Sequence, residues 1–246
     1  MSREVSSITR VGTSEPFELQ VSRNQISYHT PLLKYGYNPL IINLNETIWD
    51  VGGLYAYPSS AVVMSVTSAA GAADSGVKVT VVGLDANYVE QSEEVTLDAS
   101  GTQDTQNTYL RVYRAYVSGD TAPTGNVNII NGGTTYARVT LGENQTLMAV
   151  YTVPAGHTLY VTQGVATHGT DTSGAYMTVR FMQRAFGGVF RTATKVDIVG
   201  GEIIFPFTFP LRIPEKTDLE VQAICSKNQN NAVGATFEGI LVKENG

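Results

Sequence analysis

Hydrophobic and polar residues alternate along most of this chain. An alternating pattern buries one side chain in two, which is the signature of a strand with one face on a core. We find no convincing stretch with the i, i+3, i+4, i+7 spacing of an amphipathic helix. The pattern predicts an all-β protein. The alternation is clearest in segments 77–82, 177–182, 203–210 and 233–241.

One of these segments carries two prolines. Residues 203–210 read IIFPFTFP, and the alternation predicts that the odd-numbered apolar residues share a buried face. Pro206 and Pro210 have no backbone N–H to donate to a neighbouring strand. We therefore expect this strand at a sheet edge or at a corner.

Two hydrophobic–proline pairs open similar segments. Val153-Pro154 and Ile213-Pro214 each place a β-branched residue before proline, which favours extended backbone. A leucine and a valine follow at matching offsets in both copies. Either the two corners correspond structurally, or β-proteins simply reuse such corners. The first interpretation predicts that one core between two sheets contains Leu159, Val161, Leu219 and Val221.

The first 45 residues differ from the rest. Residues 1–16 are polar, and 26–41 hold large apolar groups interrupted by prolines and Gly36. We predict an extended N-terminal arm over 1–45 that packs on this domain or on a neighbouring subunit. The alternative is an ordinary first strand with an irregular connection. The candidates for subunit contacts are Tyr28, Leu32, Leu33, Tyr35 and Tyr37.

The remainder divides into two predicted β-sandwich domains, 46–140 and 141–246. We expect polar loops at 99–108 and 118–126 and a linker near 131–145. Eight short strands in about a hundred residues favour a jelly-roll-like sandwich for the C-terminal domain. The strands predicted for the first domain are 61–67, 77–83, 93–98, 109–117 and 126–130. Those predicted for the second are 147–153, 158–166, 175–184, 188–191, 194–199, 202–209, 217–225 and 233–242.

The net charge and the share of charged residues limit the classes of function that the chain can have. The 246 residues include 16 Lys and Arg against 22 Asp and Glu, a net charge of −6 that argues against a broad nucleic-acid-binding surface. Charged residues make up 15% of the chain, which is typical of interface-rich assembly proteins or of a neutral Thr/Ser/Asn surface. Neither a secretory leader nor a membrane span is expected. Cys225 is the single cysteine, and we expect it buried and inert.

No motif for catalysis is found. A nucleophile elbow, an EF-hand loop and a phosphate-cradling glycine loop between strand and helix are all missing from the sequence. Four acids cluster in one predicted hairpin, which a charged exposed face explains better than a glycosidase pair. We expect no enzyme activity and no cofactor. The four acids are Glu90, Glu93, Glu94 and Asp98.

The histidines suggest no metal site. His168 and Asp171 could supply half of one, but a complete site needs three or four ligands. We predict that His168 is a solvated loop residue and that His157 lies in the turn after Pro154.

A series of motifs resembles a family of virion structural proteins of tailed bacteriophages. The resemblance covers roughly residues 45–246, with the motifs in the same order, and rests on packing motifs. The motifs are WDVGGLYAYPSSA, VVGLDANYVEQSEEVTL, YLRVYRAYV, NQTLMAVYTVPAGHTLYVT, VRFMQRAFGGVFRT, PLRIPEKTDLEVQA and ATFEGILV.

The resemblance implies a jelly-roll-type capsid cement or decoration protein that clamps neighbouring capsid subunits without covalent bonds. Its partners would be the major capsid protein and copies of itself in a homotrimer, with no nucleic acid and no membrane. It would be located in the virion, after assembly in the host bacterial cytoplasm. The alternative is a tail- or fibre-associated module that binds host glycan through exposed tyrosines and Trp49. A polysaccharide-cleaving enzyme is disfavoured because no acid pair is found.

Overall fold

The computed structural model describes residues 15–169, 174–228 and 230–244. They form one short helix, α1 (Phe17–Ser22), a 3-10 turn at Gly71–Asp74, and antiparallel strands. The all-β prediction is confirmed. The strands are β1 (His29–Ile41), β2 (Glu46–Thr47), β3 (Val62–Ser68), β4 (Lys78–Leu84), β5 (Glu90–Thr96), β6 (Thr102–Tyr109), β7 (Arg111–Val117), β8 (Val127–Asn131), β9 (Thr134–Val139), β10 (Val150–Thr152), β11 (His157–His168), β12 (Met177–Arg184), β13 (Arg191–Ile198), β14 (Gly201–Ile213), β15 (Asp218–Cys225) and β16 (Asn231–Lys243).

Eight of these strands form a jelly-roll sandwich. One sheet, here the β14 sheet, has the order β1-β16-β11-β14, and the other, the β13 sheet, has the order β10-β15-β12-β13. The chain crosses between the sheets as two four-stranded Greek keys do in a jelly roll. The short strand β2 adds to the β13 sheet by pairing with β15 beyond the end of β10. One apolar core fills the space between the two sheets.

The predicted arm is in part a strand of this jelly roll. Residues 29–41 pair with β16 of the same chain over the whole strand, from His29 opposite Val242 to Ile41 opposite Asn231. The structure therefore differs from an arm that ends at residue 45, and it matches the alternative of a first strand. Residues 1–14 lie outside the described residues.

The other seven strands form a second sandwich inserted between β1 and β10. Its sheets have the orders β6-β3-β8-β9 and β5-β4-β7, and they enclose a separate apolar core. Two expectations fail here. The polar segment 99–108 contributes β6, and the predicted linker near 131–145 contains β9. The chain enters and leaves this inserted sandwich at one place, where Trp49 and Met148 form an isolated bridge.

The two proline corners do correspond. The first takes the chain from β10 to β11, and the second takes it from β14 to β15, so each crosses between the two sheets. They lie side by side: Val153 N–H donates to Thr217 O at 3.0 Å, and Leu159 is paired with Ile213. All four predicted core residues, Leu159, Val161, Leu219 and Val221, are buried in the shared core.

Strand β14 is the edge of its sheet, as its prolines predict. Its pairing with β11 jumps from Val161 opposite Leu211 to Gln163 opposite Pro206. Residues 207–210 therefore oppose the single residue Thr162 and form a bulge. Because of this bulge, Phe209 leaves the buried face on which the alternation placed it, and it is 87% exposed.

Candidate functional site

A wide cleft lies where the two sandwiches meet. Its volume is about 830 Å³, within the range of small-molecule sites. Strand β1 forms one wall, and β5 and β7 of the inserted sandwich form much of the other. Tyr113 and Tyr151 line it with an edge-to-face ring contact at 4.9 Å. The cleft thus combines aromatic surface from both sandwiches with polar groups.

Lys34 lies in this cleft and is 8% exposed. Its Nζ donates to Tyr113 O at 2.5 Å and lies 5.5 Å from the centre of the Tyr113 ring. Among the residues that the structure describes, no carboxylate forms an ion pair with Lys34. Burial, with a smaller effect from the Arg114 guanidinium, lowers the Lys34 pKa from 10.5 to about 7. Lys34 is therefore a buried amine whose charge is poised to change near neutral pH.

The backbone explains why a lysine is tolerated here. The pairing of β4 with β7 skips Tyr113, because Val82 opposes Arg114 and Gly83 opposes Val112. The carbonyl of this bulged residue lies outside the strand ladder, and Lys34 supplies its hydrogen bond. On β1, Lys34 shares the inward face with Gly36, whose missing Cβ would lie 2.3 Å from Ile48 O and Ala149 N.

A second polar group of residues joins the two sandwiches. Arg111 on β7 of the inserted sandwich donates through Nε to Asp218 Oδ1 on β15, at 2.8 Å. Arg184 Nη2 donates to the other oxygen of Asp218 at 2.6 Å, and Thr152 Oγ1 donates to Oδ1 at 2.7 Å. Arg111 and Asp218 are both buried. The carboxylate is thus bonded on both oxygens, as a buried charge requires.

Tyr57 also belongs to this polar group of residues between the sandwiches. Its ring centre lies 5.1 Å from the Arg111 guanidinium carbon and 4.3 Å from that of Arg184. Its hydroxyl donates to Glu220 Oε2 at 3.0 Å, and burial raises the pKa of Glu220. Because these groups satisfy one another, the network fixes the relative position of the sandwiches and presents no free acid or base.

Four of the five predicted subunit-contact residues lie on β1, on both of its faces, and Tyr28 directly precedes the strand. Leu32 faces inwards and packs against the jelly-roll core, and Tyr37 is half-buried. Tyr28, Leu33 and Tyr35 are exposed. These three remain candidates for contacts with another subunit, and Tyr35 also lines the cleft. Trp49, named for glycan stacking, is buried in the core of the inserted sandwich.

Exposed apolar side chains collect near the β13–β14 edges of the jelly roll. Ile204 and Phe209 project from β14, and Val199 lies in the turn between the two strands. The gap between the sheets opens here on a small apolar cavity that Phe205 and Phe207 help to line. We call this region the apolar edge. The outer sides of β13 and β14 pair with no other described strand there.

The histidines form no metal site in the described ranges, where no group of three potential ligands is found. The expectation for His168 is wrong: it ends β11 and is buried. Its Nδ1 accepts from Gly200 N–H at 3.1 Å, so Nε2 carries the proton and donates to Asn231 Oδ1 at 3.3 Å. His157 is the first residue of β11, directly after the turn. Asp171 lies outside the described residues.

The acidic hairpin has structural hydrogen bonds. Glu93 accepts from the backbone N–H groups of Gln106 and Asn107, and Glu94 pairs with Lys78 at 2.9 Å. Asp98 accepts from Ser100 N–H at 2.7 Å. These contacts explain the acids as residues that stabilise strands and a turn.

Within the described residues, no helix is long and apolar enough to cross a membrane.

Comparison with known proteins adds little to this geometry. No protein-family model and no curated protein sequence matches the chain. Solved structures with a distant likeness include infectious bursal disease virus, Gt strain, at 12% identity over 88% of this chain and 73% of that one, with a TM-score of 0.24. The VP2 subviral particle of the same virus gives 11% identity over 87% and 72%, with a TM-score of 0.25. The chain therefore has a weak structural similarity to viral capsid proteins.

Sequence reasoning did not single out Lys34, Arg111 or Asp218. A usable signal was present for Arg111 alone, because the residues two positions away, Tyr109 and Tyr113, are aromatic and continue an alternating pattern. A charge at such a position indicates a buried polar network. Asp218 has Lys216 and Glu220 at the corresponding positions. Lys34 carried no comparable signal, because its partner is a bulged carbonyl on a distant strand.

Proposed function

We propose that the protein is a non-enzymatic structural component of a tailed-bacteriophage virion, of the capsid cement or decoration type. It assembles as a homotrimer and clamps neighbouring subunits of the major capsid protein through non-covalent contacts. The apolar edge is the observation that carries the proposal. Phe209 is almost fully exposed there, beside two strand edges that could pair or pack against another chain.

The sequence supports the same proposal. The ordered series of motifs over residues 45–246 resembles phage virion proteins, and the low share of charged residues suits a surface that is largely covered. The exposed face of β1, with Leu33 and Tyr35, supplies a second candidate contact surface. Two separate surfaces are what a subunit needs to bind both its own copies and a capsid shell.

Sedimentation equilibrium at micromolar concentration tests the self-association. We expect a trimer for the wild-type chain and a shift towards monomer for Phe209→Ser, because burying this ring contributes a few kcal/mol to an interface. The control is Leu54→Ser, an exposed leucine on the inserted sandwich, which should leave the trimer intact. A wild-type chain that remains monomeric would contradict the trimer.

Particle binding tests the virion role. Purified protein should bind to phage capsids that lack it, in many copies per particle. Binding to isolated tails and none to capsids would favour the tail-module alternative and contradict the cement role.

A further inference from the structure

The cleft between the sandwiches contains a feature that the proposed virion role does not use. Lys34 is more than nine-tenths buried, and its ammonium has three N–H donors, of which the contact with Tyr113 O uses one. A buried ammonium normally has a carboxylate partner. No described carboxylate lies within ion-pair distance of it.

A second cation lines the same cleft. Arg114 is exposed on β7, and its guanidinium carbon lies 4.9 Å from the centre of the Tyr116 ring, so the aromatic ring supports it. Its charge acts directly on Lys34, since it contributes to the lowered pKa of that lysine. Two cations that destabilise each other would both be stabilised by an anion placed between them.

The other charged and titratable groups of the cleft limit what that anion can be. Glu90 on β5 accepts from the Tyr113 hydroxyl at 2.5 Å, and its carboxylate disfavours a ligand with several negative charges. Tyr151 on β10 and His157 on β11 also line the cleft. A ligand with one negative charge fits this balance better than a phosphate ester does.

Hydroxyl-binding groups surround the cations. Gln91 and Gln145 carry amides that can both donate and accept, and Tyr35 exposes 45% of its surface for contact with an apolar ring face. We propose that the interdomain cleft binds a carboxylated sugar, with its carboxylate between Lys34 and Arg114 and its hydroxyls towards the amides and Glu90. This proposal is independent of whether the protein is a capsid component.

Isothermal titration calorimetry with glucuronate tests the proposal, with glucose and inorganic phosphate as comparison ligands. We expect glucuronate to bind at least tenfold more tightly than either. Lys34→Met and Arg114→Gln should each weaken binding about tenfold or more. Lys78→Met is the control, because Lys78 is an exposed lysine paired with Glu94 far along the sheet.

The pH dependence of glucuronate affinity gives a second test. Since an anion favours the charged form of Lys34, glucuronate should bind about tenfold more weakly at pH 8.5 than at pH 6. Lys34→Met should lose this difference, whereas His157→Ala should keep it. Arg114 is on the surface, so its variant remains informative even if Lys34→Met alters the fold.

Three results would overturn the proposal. They are no glucuronate binding at millimolar concentration, binding that neither Lys34→Met nor Arg114→Gln weakens, and phosphate or glucose binding as tightly as glucuronate.

Discussion

Arg111 and Asp218 form a buried ion pair across the boundary between two sandwiches that have separate apolar cores. Without Asp218, Arg111 would be a buried charge with no ion-pair partner among the described residues, whereas Asp218 also pairs with Arg184. The pair therefore contributes more to the relative position of the sandwiches than to the packing of either core. Removing one partner of such a pair is costly, because the remaining charge keeps its desolvation penalty.

Asp218→Ala should accordingly lower the free energy of unfolding by about 3–5 kcal/mol. The loss leaves Arg111 buried without its anion and removes an acceptor from Arg184 and Thr152. Urea denaturation measures the change. Asp120→Ala, at an exposed loop position, is the control and should stay within about 0.5 kcal/mol of wild type. A loss below about 1 kcal/mol for Asp218→Ala would show that the network does not stabilise the contact between the two sandwiches.

Lys34→Met should change stability in opposite directions at two pH values. Near pH 7 the substitution removes a buried charge, and we expect a gain of about 1–3 kcal/mol after the loss of the hydrogen bond to Tyr113 O. The folded-state pKa of Lys34 is lowered to about 7 from 10.5, so wild type gains stability as pH rises between those values. By pH 10.5 that charge penalty is gone, and the lost hydrogen bond should make the variant less stable than wild type by about 1 kcal/mol.

Paired urea titrations of the two chains from pH 6.5 to 10.5 measure this crossover. The difference between the chains cancels the titration of the tyrosines. A difference that stays constant across the range would show that Lys34 is fully charged and solvated.

His168→Ala should destabilise the protein by about 2–3 kcal/mol, because both ring nitrogens lose buried hydrogen bonds and a cavity remains. His157→Ala is the matched control. That ring has one hydrogen bond among the described contacts, to Ala155 O, and belongs to the first residue of β11, so we expect a loss of less than about 1 kcal/mol. Thermal unfolding of both variants checks the ranking, and equal melting temperatures would contradict the buried role of His168.

Gly36→Ala should destabilise the chain by about 2–3 kcal/mol. Its Cβ would lie 2.3 Å from two backbone atoms, Ile48 O and Ala149 N, and neither can move like a flexible side chain. Gly164→Ala on β11 of the same sheet is the control, since the nearest atom to its Cβ would be Thr236 O at 3.8 Å. We expect that variant to unfold within about 0.5 kcal/mol of wild type, and similar losses for both glycines would refute the close approach.

The sequence predicted those features that depend on local pattern. The β class, most strands of the jelly roll and the core role of Leu159 and Leu219 follow from alternation and from residues before proline. Strand β6 was missed because its residues are polar on both faces. It is a strand because it pairs with β3, and burial of its side chains contributes little. One of the contacts between the two strands is the hydrogen bond from the Thr102 hydroxyl to the Thr67 hydroxyl.

The face of β1 was also beyond sequence reasoning. Leu33 and Tyr35 look like core residues, yet Lys34 and Gly36 face inwards. The inward face at this point meets the backbone and carbonyl groups of the inserted sandwich, so small and hydrogen-bonding residues fit it better. Which neighbour a strand meets is decided by residues far away in the chain, and alternation contains no information about them.

The pairing of β1 with β16 sets an order for folding. Tyr35 and Thr236 are paired although about 200 residues separate them, so β1 stays unpaired during synthesis until β16 has been made. The inserted sandwich can fold meanwhile, since its strands pair over much shorter separations. Once it has folded, the Trp49–Met148 bridge brings its two ends together and shortens the effective loop between β1 and the later jelly-roll strands by about half. A substitution that destabilises the inserted sandwich should therefore slow the folding of the jelly roll, even when the substituted residue contacts no jelly-roll strand.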